Sequence, residues 1–521
     1  MKLTKIASAI IALSVGVITQ AQADDHRYVI QVEAGHKGVV KALAKKLGGD
    51  IKLEGDQFIA ATFTGKDLAQ VKGLLNNPHI TLIEEDLRRY PMSLYKDSVG
   101  NPMTAQVTPY AIYQSRANQV ALNPSAGMKV CVIDSGLDNS NPDFDWNNIT
   151  GDNDSGTGNW FQNGGPHGTH VAGTIGSANN NMGVIGMAPG VAMHIVKVFN
   201  ASGWGYSSDL AYAANKCSNA GANIISMSLG GGGANNTEKN AFDAFTAAGG
   251  LVVAAAGNDA NSVRSYPAGY PSVMMIGAND ADNNIADFSQ FPTCLSGRGK
   301  RATNNDGICV EVTAGGVDTL STYPAGMATA ASVTADGATV ASSAMENLGA
   351  ASADTYFMGT AQATDANANG KVCIIDRGVI SFHDKVLNCE NSGGVAAVIV
   401  NNESGMLYAT LGDTNATSIP AVGAALEDKA ALLAAQNITV SIGGSDYGFM
   451  SGTSMATPAV SGMAALVWSN HSECTGTQIR NALKATAMDA GTPGKDVYFG
   501  YGIVNAKAAD TYLTTYGCSG K

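Results

Sequence analysis

Five short apolar runs, separated by segments of helical character, constrain the fold of this chain more than any other feature. Each run is rich in Val, Ile, Ala or Met and lacks the polar alternation of a strand that faces water. Such strands, alternating with helices, predict an α/β architecture with a parallel sheet covered on both faces. In open α/β sheets, active sites lie beyond the carboxyl ends of the strands. The runs are residues 128–134, 192–199, 222–231, 251–258 and 272–278.

A second feature is Ser454, which stands before a long stretch of small and apolar residues. Residues 452–468 read GTSMATPAVSGMAALVW and have the character of a buried helix. Unpaired N–H groups and the positive end of the dipole at a helix N-terminus can stabilise a developing anion. Because Ser alone is a poor nucleophile, this interpretation requires a general base and an acid that orients the base.

Polar residues at or near the ends of the apolar runs are candidates for those roles. Asp134 ends the first run, and a turn or capping carboxylate is the alternative. His167 and His170 lie in GGPHGTHVAGTIG, where a buried structural His or an HxxH metal site is the alternative, although no third metal ligand is obvious. Asn258 ends the fourth run and can donate to an oxyanion or form an Asx turn. Together with Ser454, these residues predict nucleophilic catalysis.

Length, charge and the N-terminus limit the class of protein. The chain has 521 residues, too many for one module, and its net charge of −12 with 14% charged residues disfavours a nucleic-acid binder. A basic head, a brief apolar run and Ala21-Gln22-Ala23 predict a secretory signal peptide over residues 1–23. A membrane anchor is the alternative, but the run is short for a span. We therefore expect a secreted, extracellular protein with no membrane segment after signal removal.

Residues 24–104 have a pattern of their own. Strand-like and helical stretches follow the order β-α-β-β-α-β up to Glu85, with the second helix expected over residues 66–75. This order is typical of a small α+β sandwich of the ferredoxin-like kind. A polar, irregular stretch over residues 88–104 is interpreted as a linker open to proteolysis.

Residues 327–445 differ from the flanking segments in amino-acid composition. Runs rich in Ala, Gly and Thr surround the sequence GKVCIIDRGVISFHDKVLNCENSGGVAAVIVNN of residues 370–402. We predict a compact, β-rich unit, inserted into the larger α/β domain of residues 105–521 just before Ser454.

Eight cysteines in an exported chain predict disulfides, and the lack of a CxxC pair argues against a zinc site. Eight cysteines allow about 105 connectivities, so the sequence alone does not fix the pairing. Local spacing suggests three pairs, and the fourth is left by elimination. The pairs are Cys294–Cys309, Cys373–Cys389, Cys474–Cys518 and, by elimination, Cys131–Cys217.

The motifs around the candidate residues resemble those of the subtilisin-like serine proteases. They are DSGLD at Asp134, HGTHVAG at His167, AAAGN at Asn258 and GTSMATP at Ser454, in the order Asp, His, Ser of that family. The resemblance covers residues 105–322 and 445–507. It implies a three-layer subtilisin-like fold and a serine endopeptidase that hydrolyses peptide bonds of proteins through an acyl-enzyme.

The resemblance also implies a role for each candidate. Ser454 is the nucleophile, His167 is the general base, and Asp134 orients the imidazole. Asn258 and the backbone N–H of Ser454 hold the oxyanion. The second histidine of the HGTH motif then has a structural role.

The resemblance also implies a substrate groove formed by three segments. Residues 228–230 pair with the extended substrate, residues 203–205 form the opposite wall, and residues 255–257 line the pocket before the scissile bond. No charged residue stands at the base of that pocket, so we expect broad specificity with an apolar or aromatic preference. A dibasic-specific protease is the alternative, but Asp259 alone supplies too few acids. The groove residues are Gly203, Trp204, Gly205, Ser228, Leu229, Gly230, Ala255, Ala256 and Gly257.

One position departs from the family pattern. Ala459 stands where the family usually carries a His, on the helix beyond the nucleophile. This position is not part of the triad, so we expect activity to survive with altered local packing.

Three further matches imply a structural calcium site. The family combines a Gln near the mature N-terminus, an Asp nine residues after the catalytic Asp, and a loop that gives an Asn side chain and alternate carbonyls. Oxygen-only ligands of this kind suit Ca²⁺, and a plain Asn/Gly turn is the alternative. The matching residues are Gln106, Asp143, the Asn180 side chain and the carbonyls of Ala178, Met182 and Val184.

The two remaining segments resemble known accessory domains. Residues 24–104 resemble the subtilisin propeptide, a folding chaperone and groove inhibitor, which implies autocleavage between Tyr90 and Ala105 and a mature start near Ala105. Residues 327–445 resemble a protease-associated domain, which has no chemistry of its own. We therefore expect an autoprocessed, monomeric zymogen whose partners are its own propeptide and protein or peptide substrates.

Two other functions are alternatives to a protease. A catalytically silent binding protein would be favoured by the loss of a triad residue, and all three are present. A lipase or esterase would carry a GxSxG elbow and a different triad order, and Ser454 lacks that elbow.

Overall fold

The computed structural model of the chain divides it into two compact units, residues 1–90 and 91–521. It describes residues 25–520 except 34, 55–56, 65–73, 75, 86–94, 99, 155, 163, 200–204, 298–300, 403–404, 408 and 413–414. The predicted signal peptide therefore lies outside the described residues. Within the described ranges, no helix combines the length and the apolar character needed to cross a membrane.

The N-terminal unit contains a four-stranded antiparallel sheet. Its strand order is β2-β3-β1-β4, as in the predicted ferredoxin-like sandwich. Ile30, Ile59 and Phe63 are fully buried in its core. The second predicted helix lies almost wholly outside the described residues. The elements are β1 (Asp25–Val32), a helix (Lys37–Lys46), β2 (Asp50–Glu54), β3 (Phe58–Thr64) and β4 (Ile80–Glu85).

The second unit is built on the parallel sheet that the apolar runs predict. The strands are β5 (Lys129–Asp134), β6 (Ile149–Asn153), β7 (Ala192–Lys197), β8 (Ile224–Met227), β9 (Leu251–Ala255), β10 (Val273–Asn279) and β13 (Val312–Gly315). Two short strands, β11 (Leu295–Ser296) and β12 (Thr303–Asn304), form a separate ladder. The sheet order is β13-β10-β9-β8-β5-β7-β6, and every neighbouring pair is parallel. The five predicted runs form β5, β7, β8, β9 and β10.

Alternate residues of β5 enter two different cores, one on each face of the sheet. Val130 and Val132 belong to one core, and Cys131 and Ile133 belong to the other. Because side chains of a strand alternate between faces, burial on both faces produces a continuous apolar run. The first core includes helices Tyr110–Gln114, Pro166–Gly176, Thr453–Ser469, Gly476–Ala485 and Ala506–Tyr516, and the second includes Ser207–Asn219 and Asn236–Ala247. The three-layer α/β fold is thus confirmed.

The insert leaves and rejoins the α/β domain through one ladder. Strand β14 (Thr319–Thr322) pairs antiparallel with β23 (Tyr447–Met450). Between them lies an eight-stranded sheet in the order β16-β15-β22-β18-β19-β20-β21-β17. It is formed by β15 (Ala328–Ala335), β16 (Ala338–Val340), β17 (Ser342–Glu346), β18 (Gly349–Phe357), β19 (Val372–Asp376), β20 (Ala396–Val400), β21 (Ala421–Ala424) and β22 (Asn437–Ser445), with helices Phe382–Asn391 and Lys429–Ala434.

Four disulfides join the same cysteine pairs that spacing and elimination suggest. They are Cys131–Cys217, Cys294–Cys309, Cys373–Cys389 and Cys474–Cys518. The first ties β5 to helix Ser207–Asn219, and the third ties β19 to helix Phe382–Asn391. Each link closes a loop of the unfolded chain and thereby favours the folded state.

Candidate active site

The sequence-predicted catalytic residues stand at the carboxyl edge of the parallel sheet. Asp134 is the last residue of β5, and Asn258 follows β9. His167 and Ser454 are each the second residue of a helix, and both helices contribute to the same core on one face of the sheet. The fold therefore collects side chains that lie far apart in sequence at one end of the sheet, as expected for an open α/β protein.

Asp134 and His167 form a direct contact. Oδ1 of Asp134 accepts the backbone N–H of Ser135 at 2.7 Å and lies 2.8 Å from Nδ1 of His167. Asp134 is 0% exposed, and its Oδ2 has no hydrogen-bond partner among the described residues. Because the carboxylate accepts the proton of Nδ1, it leaves Nε2 of the neutral ring unprotonated, the state of a general base.

Two opposing effects set the protonation of His167. Burial of the ring lowers the pKa of His167, but the charge of Asp134 and the hydrogen bond to it outweigh burial and raise the pKa above its ordinary value. The His167 side chain is 36% exposed, so part of the ring faces solvent. The contact with Asp134 favours proton acceptance by this ring.

The glycine after His167 allows the helix to approach β5. A Cβ at Gly168 would stand 2.1 Å from the carbonyl oxygen of Gly136 and 3.1 Å from Oδ1 of Asp134. The N–H of Gly168 donates to Oγ of Ser135 at 3.0 Å. A larger residue would push the helix outward and lengthen the contact between His167 and Asp134.

The His170 ring is buried and is fixed by a hydrogen bond and an aromatic contact. It is fully buried, its Nε2 donates to the carbonyl oxygen of Thr319 at 2.9 Å, and the Tyr323 ring lies edge-on with centroids 5.8 Å apart. Burial lowers the pKa of His170 to about 3, so the ring is neutral. His170 thus joins the helix to β14.

Ser454 and Ser228 exchange two hydrogen bonds. The Ser454 hydroxyl donates to the carbonyl oxygen of Ser228 at 3.0 Å, and the Ser228 hydroxyl donates to the carbonyl oxygen of Ser454 at 2.7 Å. Among the described residues, this carbonyl is the partner of the Ser454 hydroxyl, and the link from Ser454 to His167 is not formed. Rotation about the Cα–Cβ bond changes that partner, and catalytic hydrogen bonds are often loose before substrate binds.

The Asn258 amide is oriented by Thr453. Its Oδ1 accepts the Thr453 backbone N–H at 2.9 Å and the Thr453 hydroxyl at 2.8 Å. The N–H of Gly257 donates to the same hydroxyl at 3.2 Å. With Oδ1 held by two donors, Nδ2 faces the opposite way.

Two N–H donors border a small space beside Gly452. A Cβ at Gly452 would stand 3.3 Å from Nδ2 of Asn258 and 3.5 Å from the backbone N of Ser454. Donors that converge next to a nucleophile are the arrangement that stabilises an oxyanion. The glycine keeps that space open.

Two of the three predicted groove segments contact the helix of the nucleophile, through the bonds of Ser228 to Ser454 and of Gly257 to Thr453. Residues 228–230 extend β8 beyond its last pair, and no strand of the described chain pairs with them. Ala255 and Ala256 are buried, and Gly257 accepts the N–H of Gln290 at 3.0 Å through its carbonyl oxygen. Gly205 is half-buried before helix Ser207–Asn219, whereas Gly203 and Trp204 lie outside the described residues.

Gln106 connects the predicted calcium ligands. Its Nε2 donates to the carbonyl oxygens of Ala178 at 2.8 Å and Met182 at 3.4 Å, so two oxygens converge on one point. Oδ1 of Asn180 accepts the N–H of Met182 at 3.1 Å, which is the Asx turn of the alternative interpretation.

Asp143 places a carboxylate in the same cluster. It is 0% exposed, and its oxygens accept Nδ2 of Asn180 at 3.0 Å and the N–H of Val184 at 2.7 Å. Burial raises the pKa of Asp143 to about 7, so a nearby positive charge would favour the ionised carboxylate. A half-turn of the Gln106 amide would place oxygen beside the carbonyls of Ala178 and Met182, and a half-turn of the Asn180 amide would place oxygen beside Asp143 while breaking its bond from the N–H of Met182. The residues present therefore fit Ca²⁺.

Several residues that shape the site carry no recognisable signal of their role in the sequence. Thr453 and Gly452 belong to the quoted GTS motif, but nothing in the letters shows that one orients Asn258 and the other spaces its amide from Ser454. Oγ of Ser321 donates to the carbonyl oxygen of His170, and Oγ1 of Thr322 donates to that of Thr169, both at 2.8 Å. No sequence signal predicts that β14 holds the helix in this way.

The fold and the site together define a class of protein: a three-layer α/β protein with Asp, His, Asn and Ser gathered at the carboxyl edge of a parallel sheet. The family model described as "Subtilase family" matches residues 125–369 and 388–502. The chain belongs to the subtilase family. The model described as "PA domain" matches residues 330–432, within the insert. The family resemblance stated from the motifs is thus confirmed.

Relatives with known names share a substantial part of the chain. Alkaline protease of Alkalihalobacillus alcalophilus is 36% identical over 258 residues, which span 49% of this chain and 60% of that protein. Subtilisin BL of Lederbergia lenta is 39% identical over 200 residues, 38% of this chain and 67% of that protein. The crystal structure of the psychrophilic subtilisin-like protease Apa1 from Antarctic psychrotroph Pseudoalteromonas sp. AS-11 has a TM-score of 0.67 and 37% identity, covering 80% of this chain and 100% of that chain.

Proposed function

We propose that the chain is a serine endopeptidase that hydrolyses peptide bonds of proteins through Asp134, His167 and Ser454. The observation that carries the proposal is the 2.8 Å contact between Nδ1 of His167 and buried Asp134, at the sheet edge where the Ser454 helix begins. The names of the relatives, alkaline protease and subtilisin-like protease, support the same activity.

Acylation uses Ser454 as the nucleophile. Its Oγ turns from the carbonyl of Ser228 towards Nε2 of His167, gives up its proton and attacks the scissile carbonyl carbon. Asp134 holds the Nδ1–H and stabilises the imidazolium. His167 then gives its proton to the leaving amine. Water, activated by the same ring, hydrolyses the acyl-enzyme and restores Ser454.

The oxyanion of each tetrahedral intermediate is held beside Gly452. Nδ2 of Asn258 and the backbone N–H of Ser454 donate to it, and the N-terminus of the 17-residue helix adds its dipole. Losing one such donor typically lowers turnover by ~10²–10³. Because the two donors are already in place, little reorganisation is needed when the negative charge develops.

Substrate binds in an extended conformation along residues 228–230, which lie beyond the ladder of β8 and offer backbone groups to a further strand. By the family resemblance, residues 203–205 are expected to form the opposite wall. Residues 255–257 line the pocket for the side chain before the scissile bond. Their small apolar character supports broad specificity with a preference for large apolar or aromatic side chains.

A structural Ca²⁺ would be held by Gln106, Asp143, the Asn180 side chain and the carbonyls of Ala178, Met182 and Val184. Such an ion neutralises the buried Asp143 carboxylate and links the arm that contains Gln106 to the loop of residues 178–184. It takes no part in the proton transfers. Its contribution is to stability, because it binds the folded chain and not the unfolded one.

The precursor is a secreted zymogen in this proposal. The signal peptide of residues 1–23 directs export, and the ferredoxin-like unit acts as chaperone and inhibitor until the enzyme removes it. The mature protein is then a monomer that acts on protein and peptide substrates. The insert contributes none of the residues of the proposed mechanism.

Hydrogen bonds before Ala105 refine the cleavage position. The N–H of Tyr95 donates to the carbonyl oxygen of Ala281 at 3.1 Å, and Oδ1 of Asp97 accepts the N–H of Tyr110 at 2.7 Å. These bonds support a mature chain that keeps the segment from Tyr95 onward, with autocleavage at the Tyr90 end of the predicted interval and a mature start earlier than Ala105.

Ser454→Ala tests the proposal, with Ser451→Ala as its matched control. Ser451 is exposed and lies three residues upstream, outside the proposed machinery. We expect the Ser454→Ala precursor to keep its N-terminal unit and to leave casein intact, while Ser451→Ala is processed and active like the parent. Casein digestion by purified Ser454→Ala would refute the assignment.

A further inference from the structure

A cluster of two histidines and one glutamate lies in the N-terminal unit, apart from the site described above. Glu33 follows β1, His36 precedes helix Lys37–Lys46, and His79 precedes β4. One possible ligand atom from each residue lies within 4.8 Å of those of the other two. We propose that these three side chains bind a divalent transition-metal ion of the Zn²⁺ class.

The backbone holds the three residues close together. The N–H of Glu33 donates to the carbonyl oxygen of His79 at 2.9 Å, and the N–H of His36 donates to the carbonyl oxygen of Glu33 at 3.1 Å. The N–H of His79 donates to Oδ1 of Asn77 at 2.9 Å. The ligands are therefore joined through their main chains, and less ordering is needed when an ion binds.

The side chains present a donor set that suits a cation. Nδ1 of His79 lies 3.1 Å from Oε2 of Glu33, and the rings of His36 and His79 stack with centroids 3.6 Å apart and an interplanar angle of 5°. Two imidazoles this close repel each other when both are protonated. One shared metal ion bonds to both neutral rings and to the carboxylate at once, which a single proton cannot do.

Zn²⁺ binding would require the cluster to close and the two rings to turn out of their parallel stack. Zn²⁺ binds imidazole nitrogen and carboxylate oxygen at about 2.0–2.2 Å in tetrahedral geometry, which places ligand atoms roughly 3.5 Å apart. Because a ring nitrogen binds a metal in the plane of its ring, rotation of both imidazoles would have to point their nitrogens towards one ion. The side chains of His79 and Glu33 are 34% and 51% exposed, so an ion can enter from solvent and water can take the fourth position.

An ion at this cluster would tie together the end of β1, the start of the helix and the start of β4. Glu33 and His79 are 46 residues apart in sequence, so the link closes most of this unit. Small domains with limited cores often gain their stability from a metal. The role of the ion is thus to stabilise the N-terminal unit, and it does not depend on the proposed peptidase activity.

Zn²⁺ titration calorimetry of the full-length Ser454→Ala chain, in excess Ca²⁺ and with its intact mass verified, tests the site. We expect the Ser454→Ala chain, which serves as the parent, to bind one more Zn²⁺ ion than a double variant that also carries His36→Asn and His79→Asn. A matched control, His383→Asn, alters a histidine of the insert and should leave binding unchanged. Glu33→Gln keeps the side-chain size and should weaken Zn²⁺ binding at least ~10-fold.

Two further readouts separate loss of a site from loss of the fold. Co²⁺ should give the visible absorption of a tetrahedral ion in the parent and not in the double variant. The unfolding temperature of the N-terminal unit should rise with Zn²⁺ in the parent, while the metal-free Glu33→Gln chain unfolds like the metal-free parent. Equal Zn²⁺ stoichiometry and affinity in the parent and the double variant would overturn the proposal. So would an unfolding temperature of the N-terminal unit that still rises with Zn²⁺ in the double variant.

Discussion

The side-chain oxygen of Asn258 accepts two hydrogen bonds from Thr453, one from the backbone N–H at 2.9 Å and one from the hydroxyl at 2.8 Å. Thr453 is the residue directly before Ser454. A single helical turn therefore supplies the proposed nucleophile, one oxyanion donor and the group that directs the other donor. These bonds hold the Asn258 amide at a fixed position relative to Ser454, although Asn258 lies 195 residues upstream of Thr453.

Thr453→Val removes the hydroxyl but keeps the backbone N–H, so Asn258 retains one of its two restraints. We expect kcat to fall about 10-fold with little change in KM, compared with a fall of ~10²–10³ for Asn258→Ala. Steady-state kinetics on a peptide substrate measure both. Thr453→Ser keeps the hydroxyl, so its kcat should be close to that of the parent and higher than that of Thr453→Val. Full additivity of Thr453→Val with Asn258→Ala would show that Thr453 does not act through the amide.

Gly452→Ala places a methyl group between the two proposed oxyanion donors. The added Cβ stands 3.3 Å from Nδ2 of Asn258 and 3.5 Å from the N of Ser454, where the oxyanion should form. We expect kcat to fall by ~10² or more while the unfolding temperature changes little. The exposed neighbour, Ser451→Ala, serves as the control for kinetics and calorimetry. Unchanged kcat in Gly452→Ala would place the oxyanion elsewhere.

The pH dependence of activity should report the Asp134–His167 contact. His167 must be neutral to accept a proton, and its pKa is raised above the ordinary 6.5 by the charge and hydrogen bond of Asp134, against the lowering effect of burial. The kcat/KM should therefore rise with pH through a pKa above 6.5. Asp134→Asn should move the acid limb of the kcat/KM profile to lower pH and reduce the maximum value of kcat/KM by ~10⁴-fold. An acid limb at the same pH in both proteins would contradict the assignment.

Asp97 should make stability fall as pH rises through the acid range. Burial raises the pKa of Asp97 to about 6, from 3.8, so the folded state binds the proton more tightly than the unfolded state between about pH 4 and 6. Above that window the ionised form costs stability. Asp97→Asn keeps an acceptor for the N–H of Tyr110 and should add about 1–3 kcal/mol at pH 8 and almost nothing at pH 4.

Urea unfolding at the two pH values, on chains carrying Ser454→Ala to prevent autolysis, measures the Asp97 effect. The difference in unfolding free energy between parent and variant should grow with pH. A difference that is the same at pH 4 and pH 8 would rule out Asp97 as its cause.

Calcium removal should destabilise the α/β domain. At a free-ion concentration 100–1,000 times Kd, a ligand of the folded state adds about 3–4 kcal/mol, so EDTA should lower the unfolding temperature by several degrees. Asp143→Asn, which removes the buried carboxylate of the proposed site, should abolish most of the Ca²⁺-dependent shift. The same shift in Asp143→Asn and its parent would place the ion at other residues.

The sheet could be predicted because burial on both faces leaves a visible mark in the sequence. Strands β5 and β7–β10 lie in continuous apolar runs, whereas the edge strands β6 (ITGDN) and β13 (VTAG) are polar or rich in small residues and leave no apolar run to recognise. The candidates Asp134, His167, Asn258 and Ser454 could be proposed from sequence for a different reason, since each lies in a distinctive local motif.

Relationships between distant residues could not be predicted. The hydrogen bonds from Thr322 to Thr169 and from Thr453 to Asn258 join segments 153 and 195 residues apart. They arise when helices and the ladder at the base of the insert meet the sheet edge. The packing of the segment from Tyr95 onward is a similar case, because its polar sequence predicts a linker and only the partners Ala281 and Tyr110 reveal its place in the α/β domain.

Covalent labelling by a fluorophosphonate, followed by peptide mass spectrometry, tests whether His167 activates Ser454 as the nucleophile. Such a probe reacts much faster with a serine hydroxyl that a nearby base activates than with other hydroxyls. We predict one adduct per mature chain, on the peptide that contains Ser454, and loss of that adduct in His167→Ala. An adduct on a different residue, or labelling of His167→Ala at the parent rate, would show that Ser454 is not a nucleophile activated by His167.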